Sequence, residues 1–450
     1  MSFGGEPSNL SHPEIKREGM DATMRIAMVG HKRVPSREGG IEVVVEELAA
    51  RMVVHGHAVT CYNRSGHHVS GREYDAEHLD EYRGIRLRHL PTIDRKGLAA
   101  VTSSFFGCLA AAFGPYDVVH VHAEGPAMFS WIPRLSGKRV ILTIHGLDWA
   151  RDKWKGSFGS WYIRMGEKIG ARCAHEIIVL NHGTQKYFLD TYGRTTHYIP
   201  NGVNPAAPVP ADIIRETYGL EKDSYILYLG RMVPEKGCHY LVDAFKKLDT
   251  DKKLVIAGGS SDTQWYMDEL KEQAGGDERV IFTGFVDGAL REELYSNACL
   301  FVLPSDLEGM PLCLLEAMSY GNCVITSDIE ECTNVIHDNG ISFRKSDVDD
   351  LAQKLTYALS HPQHRPDVQV ARRRVRLHPL PVGAHRGGNA RALREKIMAF
   401  KKAPAAFAAG AFLFSANFSA SGGHARRAAR PRSPARSAPA KTPRSGAAAL

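Results

Sequence analysis

The sequence lacks the features that mark export, disulfide bonding or a membrane span. Its eight cysteines form no CxxC or CxxH pair and lie mostly inside apolar runs, so we expect reduced thiols in a cytoplasmic protein, without disulfides or a zinc site. The first residues contain no apolar core, so a secretory signal is not expected. The most apolar long stretch, residues 403–420, is alanine-rich and interrupted by Pro404, Gly410 and Asn417, which argues against a spanning helix.

Composition places most of the chain among folded globular proteins. The 450 residues are 43% hydrophobic and 24% charged, enough for two or three domains of roughly 150 residues each. The net charge of +7 is unevenly distributed, because residues 361–450 carry 18 basic side chains against 2 acidic ones. The first 360 residues carry 39 basic and 48 acidic side chains, a net charge of −9. An acidic body does not favour nucleic acid, and no specific nucleic-acid partner is expected.

The C-terminal segment, residues 361–450, differs from the rest of the chain in composition and in hydrophobic periodicity. Most of it shows neither a helical nor a strand period, and 421–450 is an Ala/Arg/Pro/Ser tract. We expect an irregular, solvated basic tail, which we favour over an anchor for anionic lipid or nucleic acid. Residues 390–402 could form an amphipathic helix, and residues 1–23 are expected to be flexible.

From residue 24 onward, short β-rich runs alternate with helix-length amphipathic segments. This alternation predicts parallel sheets with crossover helices, hence an α/β fold. The strong turn signal Pro200-Asn201-Gly202 divides the chain into two Rossmann-like, doubly wound domains, 24–200 and 201–360. Ligands of such folds bind beyond the carboxyl ends of the strands, so a cleft between the domains is the expected site.

The segment EGMPLCLLEAM, residues 308–318, combines a predicted helix N-terminus with two glutamates. Pro311 suits the first turn of a helix, and free amides at a helix N-terminus can hold a phosphate. Glu308 precedes this helix and Glu316 lies on its second turn, so the two carboxylates are expected to contact different parts of one ligand. An ordinary capped helix with two solvated glutamates is the alternative.

Two cations follow the predicted strand YILYL in the segment GRMVPEKG, residues 230–237. The guanidinium of Arg231 can donate two parallel hydrogen bonds to a phosphate, and Lys236 can bring one positive charge on a flexible side chain. Either one alone would more often be a surface charge. Together with an anion-binding helix nearby, they favour a diphosphate ligand.

These motifs, with IPNGV at 199–203, resemble family 4 of the retaining glycosyltransferases, which have the GT-B fold. The resemblance covers about residues 24–360. Two further segments, GGIEVVVEEL at 39–48 and HGLDWARDKW at 145–154, are similar to bacterial members that build surface polysaccharides.

The resemblance implies a donor site for a nucleotide diphosphate sugar, with a UDP-sugar favoured. Arg231 and Lys236 would neutralise the diphosphate, Glu316 would bind the ribose hydroxyls and Phe285 would pack beside the nucleobase. The backbone segment that completes the diphosphate cradle would be Gly309, Met310, Pro311 and Leu312.

Catalytic roles are implied for His145, at the sugar and its anomeric carbon, and for Glu308, at hydroxyls of the transferred sugar. Gly39 and Gly40 would let backbone amides approach the phosphate or the acceptor, since neither residue has a Cβ. The resemblance also implies net retention. No metal or other cofactor is expected, and the expected acceptor is a glycan or a polyprenyl-diphosphate-linked saccharide.

Several motifs have a less specific interpretation. The DxD string at Asp347 and Asp349 follows Ser346 and opens a helix, so we interpret it as an N-cap and not a metal site. Asp148 could orient His145, contact the acceptor or cap the next segment.

Peripheral membrane contact is a further hypothesis, because residues 151–170 mix cations with aromatic side chains. The helix at 98–113, with Phe105, Phe106 and Phe113, is a second candidate for lipid contact. A nucleotide-sugar 2-epimerase of the same architecture and a catalytically impaired nucleotide-sugar-binding protein remain alternatives to the transferase.

Overall fold

The computed structural model describes residues 23–36, 39–66, 79–93, 95, 97–150, 158–259 and 263–362. Most of the predicted basic tail, the predicted helix at 390–402, the apolar stretch 403–420 and the cationic segment 151–157 lie outside these residues. No helix in the described part of the chain has the length and apolar character that crossing a bilayer requires.

In the described residues of the first half, eight strands form one sheet. They are β1 (Arg25–Val29), β2 (Ala58–Arg64), β3 (Glu81–Tyr82), β4 (Ile85–Leu90), β5 (Val118–His122), β6 (Arg139–Ile144), β7 (Glu176–Val179) and β8 (His197–Tyr198). Their order across the sheet is β3-β4-β2-β1-β5-β6-β7-β8. All neighbours are parallel except β3 and β4, which pair antiparallel at the edge.

Where the structure describes this half, six α-helices connect and cover the strands. They are α1 (Gly40–Val54), α2 (Leu98–Phe113), α3 (Glu124–Ala127), α4 (Trp131–Leu135), α5 (Phe158–Cys173) and α6 (His182–Tyr192). A short 3₁₀ helix, Asp148–Ala150, follows β6.

The second half forms a six-stranded, fully parallel sheet. Its strands are β9 (Tyr225–Leu229), β10 (Lys253–Ala257), β11 (Val280–Gly284), β12 (Leu300–Leu303), β13 (Cys323–Ser327) and β14 (Ile341–Phe343), in the order β11-β10-β9-β12-β13-β14. The helices are α7 (Ile213–Tyr218), α8 (Cys238–Lys246), α9 (Gln264–Ala274), α10 (Gly288–Asn297), α11 (Leu312–Tyr320), α12 (Glu330–Ile336) and α13 (Val348–Ser360), with a 3₁₀ helix at Pro234–Lys236. The chain passes from one sheet to the other between Tyr198 and Tyr225.

Each sheet is buried on both faces, as a parallel sheet covered by helices must be. Alternate residues of β1 show this, because Ile26 and Met28 belong to the apolar cluster on one face and Ala27 and Val29 to the cluster on the other. Strand β9 divides its side chains between two clusters in the same way. The hydrophobic runs of the strands therefore follow directly from their place in the sheet.

The strand orders create two switch points that position the site. In each sheet the chain adds strands in one direction from a central strand and then reverses, between β1 and β5 in the first sheet and between β9 and β12 in the second. Ligands bind in the crevice that such a reversal leaves at the carboxyl ends of the strands.

The predicted doubly wound α/β architecture is confirmed. The sequence patterns missed the two-residue edge strand β3 and the short helices α3 and α4, which are too brief to show a period. Asp347 is the N-cap of α13, where its side chain accepts a hydrogen bond from the backbone N–H of Asp350 at 2.9 Å. The capping interpretation of the DxD string therefore agrees with the structure.

Candidate active site

A cavity of about 670 Å³ lies where the carboxyl ends of the two sheets face each other. Its lining draws on loops from both halves, and we call it the cleft. All the site residues predicted from the sequence line it, namely Gly39, Gly40, His145, Arg231, Lys236, Phe285, Glu308, Gly309, Met310, Pro311, Leu312 and Glu316. The structure thus brings together residues that lie far apart in the sequence, although their roles stay predictions.

Helix α11 points its N-terminus into the cleft without a side-chain cap. Pro311 is its N-cap, with φ −75° and ψ 109°, and is not in the first turn, so the prediction for this residue was wrong by one position. Pro311 also has no N–H, and the predicted cradle from Gly309 through Leu312 can therefore donate only from its other three residues. An uncapped helix N-terminus still presents free N–H groups and partial positive charge to an anion.

The loop before α11 is pressed against the first half of the chain. A Cβ on Gly309 would lie 1.7 Å from the carbonyl oxygen of His145, so only glycine fits there. The side chain of Asn181 donates to the carbonyl of Gly309 at 3.0 Å. The backbone N–H of Asn201 lies 3.1 Å from the sulfur of Met310. The first half and the connecting segment therefore hold the loop before α11 in place.

Helix α1 presents a second uncapped N-terminus to the cleft. A Cβ on Gly40 would lie 3.5 Å from Cδ1 of Leu312, an ordinary contact distance, so α1 begins close to the start of α11. Glu42, on the first turn of α1, accepts a hydrogen bond from the backbone N–H of Lys32 at 3.0 Å. Burial raises the pKa of Glu42, but the charge and the N–H of Lys32 outweigh that effect and lower it below its usual value. Two helix N-termini thus converge on one space.

Lys236 and Glu308 form an ion pair inside the cleft. Their Nζ and Oε1 atoms are 2.5 Å apart, and the side chains are only 12% and 7% exposed. Ser305 also donates to Oε1 of Glu308, at 2.7 Å. Because an ammonium group has three donors, Lys236 can keep this pair and still donate to a phosphate oxygen.

Two residues that the sequence analysis missed hold Glu316. Nη1 of Arg291 lies 3.1 Å from one carboxylate oxygen, and the hydroxyl of Tyr295 donates to the other at 3.2 Å. A carboxylate has about four lone-pair sites, so roughly two remain for ligand hydroxyls. Arg291 and Tyr295 are four residues apart on α10, a spacing that places them on one helix face.

His145 follows β6 and its side chain is partly buried. Burial lowers its pKa to about 4, so the ring is neutral at pH 7 and acts as a hydrogen-bonding group and not as a cation. Nε2 of His145 lies 3.1 Å from Nδ1 of His122, the last residue of β5.

Asp148, three residues after His145, donates its backbone N–H to both oxygens of Glu124, at 3.1 and 3.3 Å. Glu124 is fully buried, and so the start of the 3₁₀ helix is anchored to α3. Asp148 also lines the cleft.

Among the described residues, no group of three or more His, Cys, Asp or Glu side chains could hold a metal ion. The positive groups that line the cleft instead come from Lys32, Arg64, Arg231, Lys236 and Arg291.

Comparison with known proteins identifies two matching families. Residues 38–207 match the family described as Glycosyltransferase Family 4, and residues 211–374 match Glycosyl transferases group 1. The chain is similar to an uncharacterised glycosyltransferase of Methanocaldococcus jannaschii, with 27% identity over 75% of this chain and 89% of that protein. It is also similar to the phosphatidyl-myo-inositol mannosyltransferase of Mycolicibacterium smegmatis, with 27% identity over 76% of this chain and 86% of the relative.

The fold is shared with solved structures of low sequence identity. One is HepE of Anabaena in complex with UDP-glucose, which superposes with a TM-score of 0.62 at 18% identity, over 78% of this chain and 98% of that one. At this identity the likeness concerns the fold alone.

The buried histidines predict how stability depends on pH. Burial lowers the pKa of His31 and His145 to about 4 and that of His120 to about 3, whereas an unfolded chain protonates near pH 6.5. Above that pH neither state carries the protons, and below it only the unfolded state gains them. The free energy of unfolding should therefore fall as the pH is lowered from about 6.5 towards 4.

Urea unfolding at pH 7, 6 and 5 measures this effect, and variants separate it from the buried Glu124, whose raised pKa acts in the opposite direction. A His31→Asn variant should show a shallower fall, and replacing the exposed His55 should leave the slope unchanged. A pH dependence in His31→Asn equal to that of the unchanged protein would contradict the assignment of a neutral, buried His31 ring.

Proposed function

The chain is a glycosyltransferase of family 4 with the GT-B fold, and from this premise we propose that it moves a sugar, with net retention, from a nucleotide diphosphate sugar to a glycan or lipid-linked saccharide. The observation that carries the proposal is the convergence of two uncapped helix N-termini, α1 and α11, with Arg231 and Lys236 on one cleft. This arrangement suits a diphosphate, because it combines free backbone donors with two cations.

The donor is proposed to lie along the second half of the cleft. Its diphosphate would contact Arg231, Lys236 and the start of α11. Its ribose hydroxyls would use the remaining lone pairs of Glu316. The nucleobase would pack beside Phe285, which lines the cleft just after β11. We favour uridine as the base, in keeping with HepE of Anabaena, the fold neighbour solved in complex with UDP-glucose.

The reaction needs positive charge where the leaving group becomes more negative. The bond between the anomeric carbon and the diphosphate oxygen breaks, and the acceptor oxygen bonds to the same face of that carbon. The acceptor proton passes to the departing phosphate. Arg231, Lys236 and the helix amides are positioned to stabilise this charge, which makes a divalent metal unnecessary in the proposed mechanism.

The acceptor is proposed to be presented at an anionic membrane. We define the N-half surface as the exposed apolar residues Leu98, Phe105, Phe106, Phe113, Trp131, Leu135, Phe158 and Trp161, which lie on α2, α4 and α5. These helices pack against one another, and the starts of α2 and α5 line the cleft. Aromatic and apolar side chains beside a substrate entrance suit the interface of a bilayer.

The charges on these helices support the same proposal. Arg164, Lys168 and Arg172 are exposed on α5 at intervals of four residues, so they form one basic stripe. The acidic residue of α5, Glu167, is fully buried, where it accepts hydrogen bonds from Trp149 and from two tyrosines. A surface with exposed cations and no exposed carboxylate on these helices is attracted to anionic lipid. We therefore propose a cytoplasmic enzyme at the inner face of the membrane that acts in bacterial surface polysaccharide synthesis.

Calorimetric titration with UDP, dTDP, GDP and ADP in EDTA tests the donor site. One nucleotide, which we expect to be UDP, should bind saturably. Arg231→Ala should weaken its binding by roughly 10- to 100-fold, because a hydrogen bond to a charged group is worth about 1.5–3 kcal/mol. Glu316→Ala should also weaken binding and abolish turnover, whereas Glu292→Ala, an exposed residue next to Arg291, serves as the matched control.

Product analysis then separates the alternatives. Transfer to an acceptor, with the anomeric configuration of the donor kept, supports the proposal. Conversion of free donor without an acceptor would indicate an epimerase, and nucleotide binding without turnover would indicate a binding protein. Absence of nucleotide binding by the folded chain would overturn the proposed function.

Membrane contact is tested by sedimentation with vesicles of phosphatidylcholine, alone or mixed with phosphatidylglycerol. The chain should bind the mixed vesicles more strongly. A Phe158→Ser/Trp161→Ser variant and a Lys168→Glu/Arg172→Glu variant should lose most of this binding. Trp265→Ser is the control, because Trp265 is equally aromatic and 58% exposed but lies on α9 in the second half. Equal binding by all variants would exclude the N-half surface as the contact.

A further inference from the structure

Two buried histidines, His120 and His122, form a row that leads to His145 at the edge of the cleft. His120 and His122 lie on β5, two residues apart and therefore on the same face of the strand, and neither is exposed. Strand β5 lies in the interior of the first sheet, where a parallel strand is normally an unbroken apolar run. Burying two histidines at such positions is costly for stability unless their ring nitrogens are hydrogen-bonded.

The contacts within the row lead to His145. The rings of His120 and His122 stack with their centroids 4.2 Å apart, and Nε2 of His120 lies 2.7 Å from Oγ1 of Thr143. Nδ1 of His122 lies 3.1 Å from Nε2 of His145. His145 lines the cleft, whereas His122 does not. His122 can therefore influence a ligand only through His145.

The hydrogen bond between these two rings can be assigned a direction. Nε2 of His122 is buried and has no hydrogen-bond partner in the described part of the chain. If the proton of neutral His122 were on Nε2, it would be a buried donor without an acceptor, which is rarer in proteins than an unpartnered acceptor. The proton therefore belongs on Nδ1, from which it is donated to Nε2 of His145. Neutral His145 must then carry its own proton on Nδ1.

We propose that His122 is a positioning residue: its hydrogen bond to Nε2 of His145 fixes the tautomer in which Nδ1–H of His145 donates to an oxygen of the donor sugar. Without this bond, His145 would exchange between two tautomers and ring orientations, and only one of them presents a donor to the cleft. The inference rests on the proposed glycosyl transfer, because it explains how His145 is oriented to donate to the sugar in that reaction.

Kinetics of three variants test the proposal. His122→Leu should lower kcat roughly tenfold, the equivalent of one hydrogen bond lost in the transition state, with little change in the donor KM. His122→Asn should recover much of that loss, because its amide nitrogen replaces Nδ1 and can donate to His145. His120→Leu is the matched control, equally buried on the same strand but without a hydrogen bond to His145. It should leave kcat within about twofold.

Nitrogen-15 NMR gives a readout that does not depend on activity. Two-bond correlations distinguish the neutral tautomers, and the signals of His145 are those lost in His145→Gln. The protein should show His145 with its proton on Nδ1, and His122→Asn should keep this tautomer. A proton on Nε2 of His145, or kcat in His122→Leu equal to that of the unchanged protein, would overturn the proposal. Absent transfer with the expected tautomer would instead count against the proposed function alone.

Discussion

The contact between Gly309 and the carbonyl oxygen of His145 is the constraint on which the cleft depends. It brings the loop before α11 against the end of β6, at a distance that leaves no space for a side chain on residue 309. Two further contacts, from Asn181 and Asn201, hold the same loop. As a result the N-terminus of α11 faces the N-terminus of α1 across a space large enough for a nucleotide sugar. The groups proposed to bind the diphosphate are therefore in place before a ligand arrives.

Each predicted site carboxylate already has a cationic partner. Glu308 is paired with Lys236, and Glu316 is paired with Arg291 and bonded to Tyr295. A buried carboxylate without such partners would be strongly destabilising. These pairs leave lone pairs and N–H groups free to meet hydroxyl and phosphate oxygens. The residues proposed to bind the donor thus also hold one another in the orientations that binding requires.

Much of this architecture could be predicted from local sequence patterns. The hydrophobic runs of the strands are short and bounded by turn residues, and helix α2 spans the residues that its pattern predicted, 98–113. The segments around Arg231 and Glu308 were predicted to share a site, because parallel strands place their carboxyl ends at one edge of a sheet. Both segments line the cleft.

What could not be predicted depends on contacts between distant residues. From the sequence alone, Arg291 is expected to be a surface residue of an amphipathic helix. It pairs with Glu316 because α10 packs beside α11. From the sequence alone, His122 is one polar residue in a buried strand. Its contact with His145 depends on the pairing of β5 with β6. Pro311 was placed one position too far into its helix, since the residues of a helix start do not distinguish the N-cap from the first turn.

The most direct test of the account is a structure of the protein with UDP bound. The diphosphate should lie at the N-terminus of α11 within hydrogen-bond distance of Arg231 and Lys236, with the ribose on Glu316 and the uracil beside Phe285. A nucleotide bound outside the cleft, or one bound within it with its diphosphate directed away from α11, would contradict the account.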